Sequence, residues 1–306
     1  MSGLRWLMPR RAIARTAAGP IGARPMLLLG IDETLGDNRV PPPHVVHEWK
    51  ALTTSADAVL ASSRTVDELL LLLGELQADA DLIAENGACV AVRSLPLAQA
   101  LGATERLSRF GRRWFVACRG LSTRQVVAAM GQARTLHGAE VRFAHEVPRG
   151  RRAELLDSDY RTRLALARRG SALAELPART PANDAWLETL RRAGYQAEFG
   201  RQWLTIWRGP DKGDAATAYL AACAQAGVFP THVAAIADGP SDLPLLRAGT
   251  TRFVVNRACG GHDANVLAVP GTVPLVATAH RGWSEALRRL ARASADAVAD
   301  VVADAG

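Results

Sequence analysis

Two aspartates four residues apart, Asp238 and Asp242, stand in the stretch Ala237-Asp238-Gly239-Pro240-Ser241-Asp242-Leu243-Pro244, directly after an apolar run. One carboxylate at the end of a strand and another opening a helix suit a hard cation such as Mg²⁺. That ion takes oxygen ligands, often one or two carboxylates, with water and substrate phosphate as the rest. The same segment also reads as a turn in which Asp242 caps a helix. A second signal is Lys212, within Pro210-Asp211-Lys212-Gly213-Asp214 at the start of a helix. Only Lys50 and Lys212 among the 37 Lys and Arg residues are lysine. An ammonium is a compact point charge that a planar guanidinium does not reproduce at a phosphate. The third signal, Ala61-Ser62-Ser63-Arg64-Thr65, puts hydroxyls and backbone amides at the opening of a helix, where they serve an anion or cap the helix.

The elements that position these residues alternate. Met26 to Ile31 is a short continuous apolar run, as expected for a central parallel strand. Further strands are expected at Asp57 to Ala61 and Asp81 to Ala84, with a helix from Thr65 to about Gln77 between them and a turn at Glu85-Asn86-Gly87. Residues 88–208 read as a separate unit. It has strands at Trp114 to Cys118 and Glu140 to Ala144 around a helix from Ser122 to Leu136. An Arg-rich helical stretch, a helix from Asn183 to Ala193, and a hairpin of Tyr195 to Phe199 with Trp203 to Trp207 complete it. The α/β pattern then returns with a helix from Asp214 to Ala226, a strand from His232 to Ala237 and a short helix from Asp242 to Ala248. Strands at Arg252 to Val255 and Val266 to Val269 follow, and a last helix runs from about Trp283 to Val302. The whole reads as a parallel sheet covered by helices, interrupted by one insertion.

Length and composition set the outer limits. A chain of 306 residues with 48% hydrophobic residues can bury a sizeable core. No apolar run approaches the ~18 residues of a membrane helix, so no membrane partner is expected. The net charge of +7 invites a nucleic-acid reading, but Arg5, Arg10, Arg11, Arg15 and Arg24 lie in the first 25 residues, which carry no acid. Without that arm the balance falls to about +2, ordinary for a soluble enzyme, and no basic stripe interleaved with aromatics remains to track a phosphate backbone. The arm 1–25 is a poor secretory signal, and it reads as a disordered extension or an early start ahead of Met26. Cys89, Cys118, Cys223 and Cys259 are far apart in sequence and read as four free thiols in a reducing cytoplasm. His44, His47 and His262 with Asp263 lack the spacing of a zinc site.

Taken in order, the three chemical segments resemble the haloacid dehalogenase superfamily of phosphatases, and within it the mannosyl-3-phosphoglycerate phosphatase branch. The family's Asp-x-Asp-Gly-Thr-Leu, Thr/Ser-Ser-Lys-Thr, Asp-Lys-Gly and Gly-Asp-x-x-Asn-Asp-Leu-Pro-x-Leu are met by four segments of this chain. These are Gly30-Ile31-Asp32-Glu33-Thr34-Leu35, Ser62-Ser63-Arg64-Thr65, Asp211-Lys212-Gly213 and the Asp238/Asp242 segment. Glu85-Asn86-Gly87-Ala88, Gly200-Arg201 and Gly282-Trp283 add to the likeness, which covers about residues 26 to 293. The resemblance implies a Rossmann-like core of 26–87 and 209–306 with an α/β cap inserted at 88–208. It also implies a Mg²⁺-dependent phosphomonoesterase working through an aspartyl phosphate. Asp32 is then the acid/base; Thr34, Ser62, Ser63 and Lys212 hold the phosphoryl group; Asp32, Asp238 and Asp242 hold the metal. Arg201 and Arg169, the latter in an Arg168-Arg169-Gly170-Ser171 stretch, face a small phosphate ester of a sugar or glycosyl-glycerate from the cap.

The chain departs from that pattern where it matters. Gly30 stands at the family's nucleophile, Glu33 and Ala237 replace glycines, and Ser241 replaces an asparagine. Glycine offers neither a nucleophile nor a ligand. Two readings stay open: Asp32 is itself the nucleophile of a phosphatase, or the chain is an inactive relative that binds a phosphate ester or a protein partner.

Overall fold

The computed structural model describes residues 24–31, 41, 43–155, 159–175, 178–200, 203–237, 239–257, 260–278 and 281–290. Asp32, Thr34, Asp238 and Arg201, the arm ahead of Arg24 and the tail after 290 lie outside the described residues. Strands β1 (Met26–Gly30), β2 (Asp57–Ala61) and β3 (Asp81–Ala84) are joined by helices α1 (Pro43–Ser55) and α2 (Val66–Glu75). A 3-10 turn over Glu85–Gly87 leads to β4 (Cys89–Val92), α3 (Leu95–Leu101), β5 (Glu105–Arg109) and β6 (Arg112–Cys118). Next come α4 (Thr123–His137), α5 (Arg149–Leu155), α6 (Asp159–Leu166), β7 (Ser171–Glu175), α7 (Pro181–Arg192), β8 (Gln196–Phe199) and β9 (Trp203–Trp207). The chain returns through α8 (Lys212–Gln225), β10 (Val233–Ala237), α9 (Leu243–Ala248), β11 (Thr251–Asn256), α10 (Ala264–Leu267) and β12 (Thr272–Thr278), and is helical over 281–290.

The large sheet has the order β12-β11-β10-β1-β2-β3-β4-β6-β5. Its strands from β12 to β3 are parallel, and β4, β6 and β5 are antiparallel. Every residue of β1 is buried, as a central strand covered on both faces requires. Leu27, Leu29 and Ile31 point into one core with Trp49 of α1, Leu69 of α2 and Trp283, whose ring meets that of Trp49 edge-on at 5.4 Å. Met26 and Leu28 point into the other, with Leu97 of α3, Tyr219 of α8 and Leu245 of α9. The strand order reverses between β10 and β1, so the crevice at their carboxyl ends is where such a sheet receives ligands.

The inserted unit starts later than 88. Strands β4 to β6 hydrogen-bond into the large sheet; the second sheet, β7-β9-β8, carries α4 and α7 on one face. Its core is Val126, Met130, Trp186, Leu190, Leu204 and Ile206, and the Trp186 indole donates to the Met130 carbonyl at 3.1 Å. The two chain segments joining it to the large sheet cross closely. Leu121 N donates to the Arg208 carbonyl at 2.9 Å, and a Cβ on Gly120, whose φ is +91°, would lie 2.3 Å from that oxygen. Only glycine fits there.

Two expected strands are absent. Residues 140–144 make a single bridge, Phe143 to Ala174, because a turn closed by Glu146 N on the Phe143 carbonyl pulls the chain off the sheet. The apolar run at 266–269 falls in α10 and its C-terminal end instead, since the Asp263 carboxylate caps Asn265 N and Val266 N. The strand comes after it, as β12. Among the described residues no helix is long and apolar enough to cross a membrane.

Candidate active site

The ends of β1 and β2 and the starts of α2, α8 and α9 supply the candidate residues. Gly30 ends β1 opposite Ala61 of β2, so Ser62 emerges beside it. Ser62 is fully buried; its N donates to the Ile83 carbonyl at 3.0 Å and its Oγ accepts from Arg64 N at 3.1 Å. Thr65 caps α2, accepting from Glu68 N while Glu68 returns a bond to Thr65 N. Ser63 is half-buried, and its carbonyl accepts from Arg168 at 3.2 Å. Of the two uses this segment allowed, the structure shows the capping one, by Thr65, with Ser62 and Ser63 just before the first turn of α2.

Lys212 is the first residue of α8, behind the Asp211 cap and its reciprocal bonds with Asp214. A cation at the positive end of a helix is disfavoured by the aligned peptide dipoles. It is also 2% exposed, so it needs a counter-charge, which Asp242 supplies: Lys212 Nζ donates to Asp242 Oδ1 at 2.7 Å, with Asp242 at 0% exposure. Two glycines permit this approach. A Cβ on Gly213 would lie 2.3 Å from the Pro244 carbonyl at the start of α9, and one on Gly87, φ +106°, 2.1 Å from the Asp211 carbonyl. The lysine and aspartate are thus brought together by backbone contacts that no side chain could share.

The same carboxylate reaches β1. A Cβ built on Gly30 would lie 1.8 Å from Asp242 Oδ2, 2.5 Å from its Cγ and 3.0 Å from Oδ1. Asp242 therefore fills the space into which a side chain at position 30 would point. Beside Gly30 there is therefore no empty socket; the Asp242 carboxylate, at the start of α9, occupies it.

Arg169, expected at the substrate, is committed elsewhere. Its guanidinium donates to Glu105 Oε2 and Oε1 at 2.7 and 2.9 Å and to Asp67 Oδ2 at 2.9 Å, bracing the segment before β7 against β5 and α2. Burial works against its charge, but the bonds to the two carboxylates outweigh it and its pKa is raised. Glu85, expected as part of a turn and of the family likeness but not as a site residue, has a structural role. Fully buried with φ +52°, it accepts from Arg169 N, Gly170 N and Ser171 Oγ (2.6 Å for the last) and so ties the large sheet to the first strand of the inserted one. Asn86 beside it, φ +58°, donates to Glu198 of β8. An acid and an amide forced into left-handed backbone beside a glycine were the available signal.

Among the described residues no three His, Cys, Asp or Glu side chains gather as a metal site. Asp242 is the carboxylate that reaches Gly30, and its Oδ1 is held by an ammonium, so the described residues by themselves do not fit Mg²⁺. The other two expected ligands, Asp32 and Asp238, lie outside them.

No protein-family profile matches the sequence, and no curated protein matches it either. Solved structures do. A haloacid dehalogenase-like hydrolase from Bacteroides thetaiotaomicron superposes with a TM-score of 0.59 at 13% identity, over 87% of this chain and 99% of its own. A haloacid dehalogenase-like hydrolase from B. subtilis gives 0.58 at 10% identity, over 87% and 99%. The sucrose-phosphatase of Synechocystis, solved with sucrose and phosphate, gives 0.53 at 12% identity, over 87% and 98%. With its reversing parallel sheet, its inserted α/β unit and these likenesses, the chain has the fold of the haloacid dehalogenase superfamily.

Proposed function

We propose that this protein is a phosphomonoesterase of the haloacid dehalogenase type, acting on a phosphorylated sugar or glycosyl-glycerate. The observation that carries this reading is the buried Lys212–Asp242 pair at the carboxyl ends of β1 and β10, with Ser62 on the next strand end. Phosphoryl transfer needs in-line positioning and positive charge against spread negative charge more than covalent machinery. In this reading Lys212 faces the phosphoryl oxygens, together with Ser62, Ser63 and Thr34. Asp32 attacks phosphorus, since Gly30 has no group to do so. Mg²⁺, if bound, would be held by Asp32 and Asp238 with Asp242 and would supply positive charge to the transferred group. Arg201 pairs with a carboxylate or hydroxyl of the substrate from the cap. The structural neighbour bound to sucrose and phosphate supports a phosphorylated sugar as the substrate class.

The second reading, a protein that binds a phosphate ester without turning it over, is favoured by Asp242 lying where a nucleophile at position 30 would be. Phosphate release from mannosyl-3-phosphoglycerate and a panel of sugar phosphates, assayed with Mg²⁺, separates the two. Turnover that Asp32→Asn abolishes is the expected result. Undiminished turnover in Asp32→Asn would overturn Asp32 as nucleophile; ester binding without any turnover by the native protein would leave the second reading.

A further inference from the structure

Two of the four cysteines meet. Cys89 opens β4 and Cys118 closes β6, and they are directly opposite in the antiparallel pair. Arg119 N donates to the Ala88 carbonyl at 2.8 Å, so the ladder bond flanks the pair. Cys89 and Cys118 thus occupy a non-hydrogen-bonded position, where facing side chains come closest. Their sulfurs are 2.6 Å apart, Cys89 fully buried and Cys118 exposed. The Cys89 thiol also donates to Glu85 Oε1 at 3.9 Å. The hydrogen bond shared with Cys118, burial and the Glu85 charge all push Cys89 far above the ordinary thiol value, so it stays protonated at rest.

The position matters as much as the pairing. Directly after Cys118 the chain leaves the large sheet for the inserted unit, and at Gly120 it crosses the returning segment at Arg208 and Gly209. Behind Cys89, Glu85 holds Arg169, Gly170 and Ser171 at the start of β7, inside the inserted unit. The pair therefore sits where the chain leaves the large sheet, with one sulfur open to solvent.

We propose that Cys89 and Cys118 form a reversible redox pair that peroxide closes into a cross-strand disulfide, locking β4 to β6 at the point where the chain leaves the large sheet for the inserted unit. The exposed Cys118 thiolate attacks peroxide, forming an S–O bond as the O–O bond breaks; the hydroxide released takes a proton and leaves as water. The Cys89 sulfur then attacks the Cys118 sulfenic acid. Its proton passes to Glu85 and on to the departing hydroxide, giving a second water and the S–S bond. Two thiols are oxidised and one peroxide reduced, and a dithiol reductant reverses the change. The inference is independent of phosphatase activity.

The test uses the full chain, fully reduced, then treated with hydrogen peroxide, alkylated and mapped without reduction. Two of the four cysteines should be lost to alkylation, with a Cys89–Cys118-linked peptide that dithiothreitol releases. In Cys89→Ser, a sulfenic-acid probe should label Cys118. In Cys118→Ser, a change at an exposed site, the link should vanish while Cys89 stays reduced. Trypsin cleavage after the exposed Arg119 should slow at least about threefold in the oxidised chain, because the crosslink suppresses local opening. Cys118 over-oxidised or linked between molecules, with Cys89 still alkylatable, would overturn the proposal, as would equal cleavage rates in the two forms.

Discussion

Replacing Gly30 by alanine adds one methyl group and should be among the most costly small substitutions in the chain. The new Cβ would lie 1.8 Å from Asp242 Oδ2, and ordinary contact begins near 3.4 Å, so the carboxylate must retreat by roughly 1.6 Å. Its bond to Lys212 is 2.7 Å long and both partners are buried, so that retreat breaks the pair or drags the lysine with it. Gly30 is not in left-handed backbone, which removes conformational strain as a competing cause. Uncoupling a buried ion pair and overpacking its site together cost about 3 kcal/mol. With a urea m-value of ~3 kcal/mol/M, the midpoint falls by about 1 M. The assay is urea unfolding of Gly30→Ala in the wild-type background and again with Lys212→Met and Asp242→Ala together, where neither charge nor clash remains. In that second background alanine should cost less than about 0.5 kcal/mol, leaving a coupling of over 2 kcal/mol. Equal costs in the two backgrounds would refute the idea that Asp242 fills the position-30 space. The same geometry predicts that Gly30→Asp will not by itself restore a nucleophile.

Two other outcomes follow from the same observations. Lys212→Met leaves Asp242 buried without its cation and should destabilise the chain by about 3 kcal/mol, of which the Lys212→Met/Asp242→Ala double variant recovers a large part, read by thermal unfolding. Asp81, hydrogen-bonded by Tyr219 at 2.8 Å, has its pKa raised above 3.8, chiefly by burial. The folded state binds its proton more tightly, so the stability it lends is complete below 3.8 and is lost as pH rises through the raised value. Asp81→Asn, which cannot ionise, should therefore gain on the wild type as pH rises above 3.8 in urea titrations; a constant difference would refute the assignment.

Local sequence carried much of the architecture. The buried run at Met26–Gly30, the capped starts of α2 and α4 and the β8–β9 hairpin follow from apolar continuity, capping residues and turn chemistry, all read over a few neighbouring residues. Sequence reading failed where a neighbouring cap was overlooked and where a partner far along the chain decides. The apolar run at 266–269 fits strand or helix equally, and the Asp263 cap settled it. Strands β4 to β6 carry no local mark of which sheet they join, and only pairing with β3 assigns them to the large one. Cys89 and Cys118, separated by 29 positions, become neighbours through the register of β4 on β6.

The candidate site divides along the same line. The sequence by itself singled out Lys212, Asp242 and Ser62 as candidates for handling a phosphate, and showed that position 30 has no functional group. Residue type and spacing encode both. Tertiary structure alone decided that Asp242 fills the place of that absent group, that Lys212 is its buried counter-ion and that Arg169 is spent on Glu105 and Asp67. These depend on how closely α8 and α9 approach the end of β1, a distance set by packing around Gly30, Gly87 and Gly213 and written in no single stretch of the chain.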